Sequence, residues 1–500
     1  MKNPLSFLKQ NNLKHIVIVS SIFLLGLTLL IRLVDQLKLL YHFPGGFIND
    51  LSSYLAQLYF LDACGFHNFC SYWYNGFTAF LMTPPGWYFF AYPFYLIFGD
   101  VKIATYVSLL FIFLFAFLAV YFLGKKLHLK PLHRIFIFLL FFGNANAIRG
   151  FLRSGRPHEL LAWFFFLTLF LFFLYYKDRP LTKWFFLTSI LYTATILTYF
   201  STAIYASFLF LSLFLIKKGR ERLTVVIAAL LGLLLSSFWL IPFLTHIQQT
   251  SVISYNPNKL LFSLDPIALL KQFGAFLFPI AFFTVFYLSW KEKNKSRKYL
   301  LFYAPFLLLA FLFLFRITPF FPFLRIIPPT QYFSLFILLA GYIYITLSDK
   351  QKLSYILINL ALVIGVVAST VLSLFFTPYF EVQNKNTQDV IELLPFIEGR
   401  YVALGLYSQN IYSKSLVSYA SIYYQLNTTT GWYPHIKSDS YKKEVNLLKQ
   451  AFDDKQCSLF MDKLRSLDTQ EVITYTGCDF LAQCGMNLKV EKNGYCLYST

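Results

Sequence analysis

IVIVSSIFLLGLTLLIRLV, residues 16–34, is a nineteen-residue run broken by one charge, Arg32 near its end. At 1.5 Å per helical residue it is long enough to cross a bilayer. Lys2, Lys9 and Lys14 precede it, and no small-residue cleavage site follows, so it reads as an uncleaved anchor rather than a removed signal peptide. Similar runs lie near 101–124, 135–148, 160–176, 184–199, 202–216, 223–243, 266–290, 299–315, 332–347 and 353–376. The pattern predicts an all-α polytopic membrane bundle of about eleven spans. One ambiguity sits at 184–216, which could also be a single long tilted helix.

Composition agrees. Of 500 residues, 57% are apolar and 13% charged, whereas soluble domains carry about 25% charged residues. A soluble enzyme, a coiled coil and a disordered chain are excluded. The net charge of +20 is unevenly placed: residues 1–376 hold 31 Lys and Arg against 10 Asp and Glu, while 377–500 hold 12 against 13. Nucleic-acid binding needs a basic stripe on a folded face, and none is visible.

The excess tests the topology. With the N-terminus inside, the inner segments (1–15, 125–134, 177–183, 217–222, 291–298, 349–352) hold 21 Lys and Arg. The longer outer loops (35–100, 149–159, 243–265, 316–331) hold 7. Cytoplasmic loops retain cations, so the N-terminus is expected in the cytoplasm and the C-terminal segment outside. All six cysteines fall on the expected outer side: Cys64 and Cys70 in the first outer loop, Cys457, Cys478, Cys484 and Cys496 in the tail. Even groups in an oxidising compartment point to disulfides. Cys64–Cys70 is a plausible local pair; the four tail cysteines allow three connectivities. A four-cysteine metal site is the other reading, and no CxxC spacing supports it.

Two regions stand outside the expected bundle of residues 1–376. The first outer loop, 35–100, carries Leu51, Leu55, Leu58 and Leu61 at helical spacing, which predicts an amphipathic surface helix. Pro84-Pro85 then opens an aromatic stretch at 86–98, read as an interfacial or re-entrant helix. The tail, 377–500, has soluble composition. TQDVIELLPFI and YKKEVNLLKQAF read as helices; YVALGLY, EVITYT, MNLKVEK and YCLYS read as strands. A small extracytoplasmic α/β domain is expected there.

Ionisable groups near a membrane are costly and so mark function by default. The outer acids of the bundle are few: Asp35, Asp50, Asp62, Asp100, Glu159 and Asp265. Asp50 follows a glycine pair and Asn49; it reads either as a catalytic base or metal ligand, or as the N-cap of the helix starting at Leu51. The loop NANAIRGFLRSGRPHELLAW sets Arg149, Arg153 and Arg156 within eight residues, with His158 and Glu159 following. Arginine suits bidentate phosphate binding; headgroup snorkelling and an Arg–Glu pair are the plainer reading. Arg325 could add a phosphate contact, and Arg316 reads as an interfacial anchor. Trp73, Tyr74, His158 and Gln331 are weak candidates for a sugar, since interfacial aromatics commonly form a belt. The sequon at Asn427 carries little information.

These residues together resemble the GT-C membrane glycosyltransferases. The resemblance rests on Asp50 after the first span, WYNGFTAFLMTPPGWYF, SGRPHELLAW opening the fourth span, SSFWLIP ending the seventh, and EVITYT before a final hairpin near Gly494-Tyr495. Within that group the chain is most similar to the prokaryotic integral membrane family labelled 6-pyruvoyl-tetrahydropterin-synthase-related, a label that carries no pterin chemistry. The resemblance implies a polyprenyl-phosphate-linked sugar donor, Asp50 as catalytic base and Glu159 as supporting acid. It departs from relatives at Tyr54, where a His is often found, and at Thr198-Tyr199, where a Thr-His is often found.

The expectation is an enzyme that transfers a sugar from that donor to a glycan, lipid or protein acceptor on the extracytoplasmic face. Arg149, Arg153, Arg156 and Arg325 would hold the lipid phosphate, and a divalent cation is the one cofactor that could join them. A lipid or glycan transporter or flippase would instead place charges deep in several spans or show an inverted repeat. A non-catalytic cell-envelope assembly protein would depend on the tail alone.

Overall fold

The computed structural model describes residues 11–45, 50–246, 266–347, 353–406, 413–432 and 436–500. Asp265, Gly46 and Asn49 lie outside them. Helices occupy all of the expected apolar runs. Those used below are α1 (Asn11–Asp35), α2 (Leu51–Ala63), α3 (Gly86–Phe98), α4 (Val101–Lys126), α5 (Pro131–Phe142), α6 (Pro157–Lys177), α7 (Leu187–Thr198) and α8 (Phe200–Ile216).

The expected count of eleven spans is not reached by length and composition. Among the described residues five helices are long and apolar enough to cross a membrane, or up to seven if two bent pairs each count as one. Of the remaining runs, two form short helices (Leu187–Thr198, 12 residues, and Phe200–Ile216, 17 residues) and two form longer ones (Pro266–Glu292, 27 residues, and Pro329–Thr346, 18 residues). Pro131–Phe142 and Ala145–Arg153 meet at 44°, and Gly219–Leu235 and Ser237–His246 at 72°. Helix α7 has 12 residues, about 18 Å at 1.5 Å each, against a hydrocarbon core of about 30 Å. Several apolar helices of this kind make a multi-pass membrane protein.

The ambiguity at 184–216 is resolved by Tyr199. Its extended backbone (φ −158°, ψ 111°) separates α7 from α8. The chain then doubles back, because Lys217 at the end of α8 donates to the Arg179 carbonyl at 2.5 Å. The bundle therefore has a basic end, where Lys125, Lys126, Arg179 and Lys217 lie, and an opposite end, where α1 finishes and α6 begins.

At that opposite end the acids expected outside separate by role. Asp100 caps α4, accepting from the Lys102 and Ile103 amides. Asp62 accepts from the Tyr92 hydroxyl at 2.9 Å. Asp35 accepts from the Phe380 amide at 2.7 Å and pairs with Lys38, holding the tail's first residues against α1. Arg32, buried in α1, donates to the carbonyls of Ser373, Thr377 and Pro378 and lies over the Tyr379 ring. Those carbonyls end the last apolar helix, where unpaired acceptors would be costly.

Helix α2 is not the surface helix its leucines suggest. Ten of its residues are buried, among them Ser52, Ser53 and Gln57, because the tail helix Ser413–Tyr423 covers its outer face. Helix α3 has 13 residues and ends at Gly99 (φ 65°), with Leu96, Ile97 and Phe98 exposed. Between them β1 (Phe69–Cys70) pairs antiparallel with β2 (Phe77–Thr78), next to the Cys64–Cys70 disulfide.

The tail builds a four-stranded sheet in the order β3 (Tyr401–Leu404), β4 (Glu471–Thr474), β6 (Tyr495–Ser499), β5 (Asn487–Lys492). Strands β3 and β4 are parallel, bridged by the helices Asp439–Asp453 and Cys457–Ser466; the other pairs are antiparallel. The β5–β6 turn uses Asn493 and Gly494, both at positive φ, as a two-residue hairpin requires. Of the three connectivities, the tail cysteines adopt Cys457–Cys484 and Cys478–Cys496. The tail is stitched to the first loop through Thr428 N–H to the Tyr72 carbonyl (2.9 Å), Gly45 N–H to the Glu381 carbonyl (3.0 Å) and Ser415 Oγ to the Pro44 carbonyl (2.6 Å).

A Cβ on Gly76 (φ 93°) would come within 2.0 Å of the Phe69 ring. Gly76→Val should therefore lower the stability of the first loop by on the order of 2 kcal/mol. Thermal unfolding of the detergent-solubilised chain, with Gly150→Ala as a control in open space, checks it.

Candidate active site at the end of the bundle

The segment after α5 prepares the site by interrupting a helix. Asn144 accepts from the Asn146 and Ala147 amides and starts a short turn. The turn widens into a π-helical stretch, Ile148–Arg153, a local distortion often found at functional sites. Gly155 at φ 60° redirects the chain. Arg156 then sits at the N-cap position of α6, with Pro157 at its first turn. Proline is preorganised for that place, and Glu159 one turn in is an anion where a helix N-terminus favours one.

Asp50 occupies the N-cap position of α2 but makes no side-chain cap hydrogen bond. Arg156 Nε donates to Asp50 Oδ2 at 3.0 Å. The same guanidinium lies 3.7 Å, through Nη1, from Glu159 Oε2. Backbone contact fixes the approach as well, since Asp50 N–H donates to the Ser154 carbonyl at 2.9 Å. The result is a carboxylate–guanidinium–carboxylate row. Asp50 and Arg156 are partly open, their side chains 25% and 34% exposed, whereas Glu159 is 5% exposed. Burial pulls the Arg156 pKa down, but Glu159, Tyr199 and Asp50 together outweigh it and leave it raised, so Arg156 stays a cation.

Behind this row the aromatic residues close the site. His158 Nε2 and the Tyr54 hydroxyl are 3.0 Å apart, with ring centroids at 4.5 Å. Tyr199, at the break between α7 and α8, places its ring 4.7 Å from His158. Gln331, buried in the first turn of the helix Pro329–Thr346, and Trp163 of α6 face Glu159. Both amide atoms of Gln331 and the Trp163 indole N–H lack a hydrogen bond of ordinary geometry. Buried polar atoms of that kind are uncommon and call for an explanation.

The sequence candidates thus part company. Asp50, Arg156, Glu159, His158 and Gln331 come together. Arg153 is buried and bonds the tail residue Glu381 at 2.6 Å. Arg149 and Arg325 are exposed, on segments that Asn146 ties together by donating to the Thr330 carbonyl (2.9 Å) and to Ser334 (2.8 Å). Trp73 is fully buried against Phe60, and Tyr74 packs on Tyr441 of the tail. Neither offers an open face to a sugar, because the tail and the first loop close over them. Sequence reading undervalued Tyr199 and Trp163. Tyr199 was visible only as a departure from the resemblance, and Trp163 looked like one more apolar span residue.

Among the described residues no three of His, Cys, Asp or Glu converge as a metal site. Asp50 and Glu159 supply two carboxylates, and Arg156 already stands between them. The residues do not fit a bound divalent cation.

No family model matches the chain, and no curated protein does. Solved structures do. An Archaeoglobus fulgidus oligosaccharyltransferase complex with Zn and sulfate superposes with a TM-score of 0.57 at 12% identity, over 90% of this chain and 68% of that one. ArnT from Cupriavidus metallidurans in the apo state gives 0.53 at 12% identity, over 95% of this chain and 97% of that one. The chain has the GT-C fold. A third structure, the Archaeoglobus fulgidus enzyme tethered with an acceptor peptide containing the NVT sequon, gives 0.51 at 13% identity, over 91% and 69%. Within this fold, the Asp50–Arg156–Glu159 row lies where the first loop meets α6.

Removing the central cation strands two acids. Arg156→Gln should lower the melting temperature, and adding Glu159→Gln should recover part of the loss. A double-mutant cycle on thermal stability is expected to give a favourable Arg156–Glu159 coupling of about 1–2 kcal/mol, reduced from a fully buried pair by the exposure of Arg156.

Proposed function

We propose that this chain is a membrane glycosyltransferase that moves a sugar from a polyprenyl-phosphate donor to an acceptor on the extracytoplasmic face. The tail, 377–500, forms an extracytoplasmic domain, and the N-terminus lies in the cytoplasm, an orientation that the charge distribution supports. The observation that carries the reading is the diversion of Asp50. Its carboxylate leaves a helix cap unused and is held by Arg156 beside a second, buried acid. The GT-C fold supports the reaction class.

Asp50 acts as general base. It takes the proton from the acceptor hydroxyl as that oxygen attacks the anomeric carbon. The new bond joins the acceptor oxygen to that carbon, and the bond from the carbon to the phosphate oxygen breaks. The electron pair leaves with the polyprenyl phosphate. Arg149 and Arg325, exposed on adjoining segments, receive that anion together with Arg156. Arg153 is held by Glu381 and positions the tail instead. Gln331, Glu159 and Tyr199 face one another and form the polar wall against which the sugar hydroxyls bind. The acceptor enters from the side that the tail covers. No nucleotide site is required, because the phosphate arrives attached to a lipid.

Asp50→Asn should reduce transfer from a lipid-linked sugar by about 10²–10⁴-fold while leaving the melting temperature close to that of the parent chain. Arg149→Ala with Arg325→Ala should raise KM for the lipid donor more than it lowers kcat. Unchanged turnover in well-folded Asp50→Asn would remove the base and leave a multi-pass scaffold.

A further inference from the structure

The opposite end of the bundle carries a second polar feature that the proposed reaction does not use. Helix α6 spans 21 residues from Glu159's turn to Lys177, so this end is about 30 Å from the site. A cavity of about 760 Å³ opens there between the ends of α4 and α6 and the start of α5. Lys125, Lys126, Lys130, Arg134 and Arg179 line it, and among the described residues no carboxylate does. Asp178, next to Arg179 in the sequence, is engaged by Lys298 at 2.8 Å and Lys177 at 3.6 Å.

One of the five cations is built into the floor. Arg134 is 9% exposed. Its Nε donates to the Leu129 carbonyl at 2.7 Å, and its guanidinium lies over the Tyr121 ring. The stem crosses Gly124, where a Cβ would come within 2.9 Å of Arg134 Cγ. The connection Leu127–Lys130 turns tightly through His128 at φ 59° and brings Lys130 back beside Lys125 and Lys126. Arg179 is laid on the Tyr175 ring at 4.1 Å. Like charges gathered this closely repel unless an anion joins them.

The walls indicate which anion. Phe122, also lining the cavity, is 59% exposed on the outer surface of α4, in a helix long and apolar enough to span. The opening thus runs from a cluster of cations onto a lipid-facing aromatic side chain. We propose that this cavity binds the phosphate of an anionic phospholipid headgroup, with an acyl chain lying along Phe122. Basic pockets between membrane helices at the cytoplasmic level take such headgroups. A free phosphate offers the same oxygens to the same cations but leaves the Phe122 wall without a partner.

The full chain is placed in phosphatidylcholine nanodiscs doped with phosphatidylglycerol, and retained lipid is counted by native mass spectrometry after release. Phosphatidylglycerol should be retained in preference to phosphatidylcholine. Lys125→Gln/Lys126→Gln/Lys130→Gln should lower that retention by roughly tenfold or more, and the matching triple Lys→Arg variant should keep it. The single variant Lys130→Gln should show a partial loss. Equal retention of both lipids, or undiminished retention in the Gln variants, overturns the proposal. So does protection of the delipidated chain by inorganic phosphate equal to that given by phosphatidylglycerol.

Discussion

A guanidinium held between two carboxylates is the constraint on which the open end of this molecule depends. Arg156 reaches Asp50 from a helix N-cap and Glu159 from the same helix's first turn. Two acids this near one another and partly withdrawn from water would repel and resist ionisation without a shared cation. The cation in turn fixes where α2 begins relative to α6, and the Asp50-to-Ser154 backbone bond repeats the constraint without charge. The site is therefore set by chain geometry and charge balance together.

The tail completes the arrangement rather than hanging beside it. Arg32 and Asp35 bind its first residues to α1, Glu381 occupies Arg153, and the helix Ser413–Tyr423 covers α2. The polar residues of α2 are consequently interior. A helix that would be amphipathic on a bare membrane is instead enclosed on two sides, which gives the first loop a fixed shape. Two further disulfides and a sheet with two buried central strands stiffen the tail itself.

Charge organises both ends of the bundle in different ways. At one end acids and arginines alternate and neutralise each other. At the other, lysines and arginines converge on a cavity that no acid lines among the described residues. The same helix, α6, links the two, carrying Glu159 in its first turn and ending at Lys177. With 16 of its 21 residues buried, it is the natural spine of the fold.

Much of this was legible in the residues alone. Apolar runs dictated a multi-pass helical bundle, since backbone groups in lipid must bond within their own helix. Cysteine placement predicted disulfides, and alternation in the tail predicted its strands. Asp50, Arg156 and Glu159 stood out because ionisable groups among apolar neighbours are costly. What periodicity could not decide was whether each run is long enough to span, since helix breaks at Gly143 and Tyr199 depend on what packs around them. Nor could it tell which arginine meets which acid: Arg149, Arg153 and Arg156 look equivalent along the chain. Only the tertiary structure, by turning the π-helical segment and seating the tail on it, gave Arg153 to Glu381 and Arg156 to Asp50. Such pairings depend on through-space distance, which sequence separation does not encode.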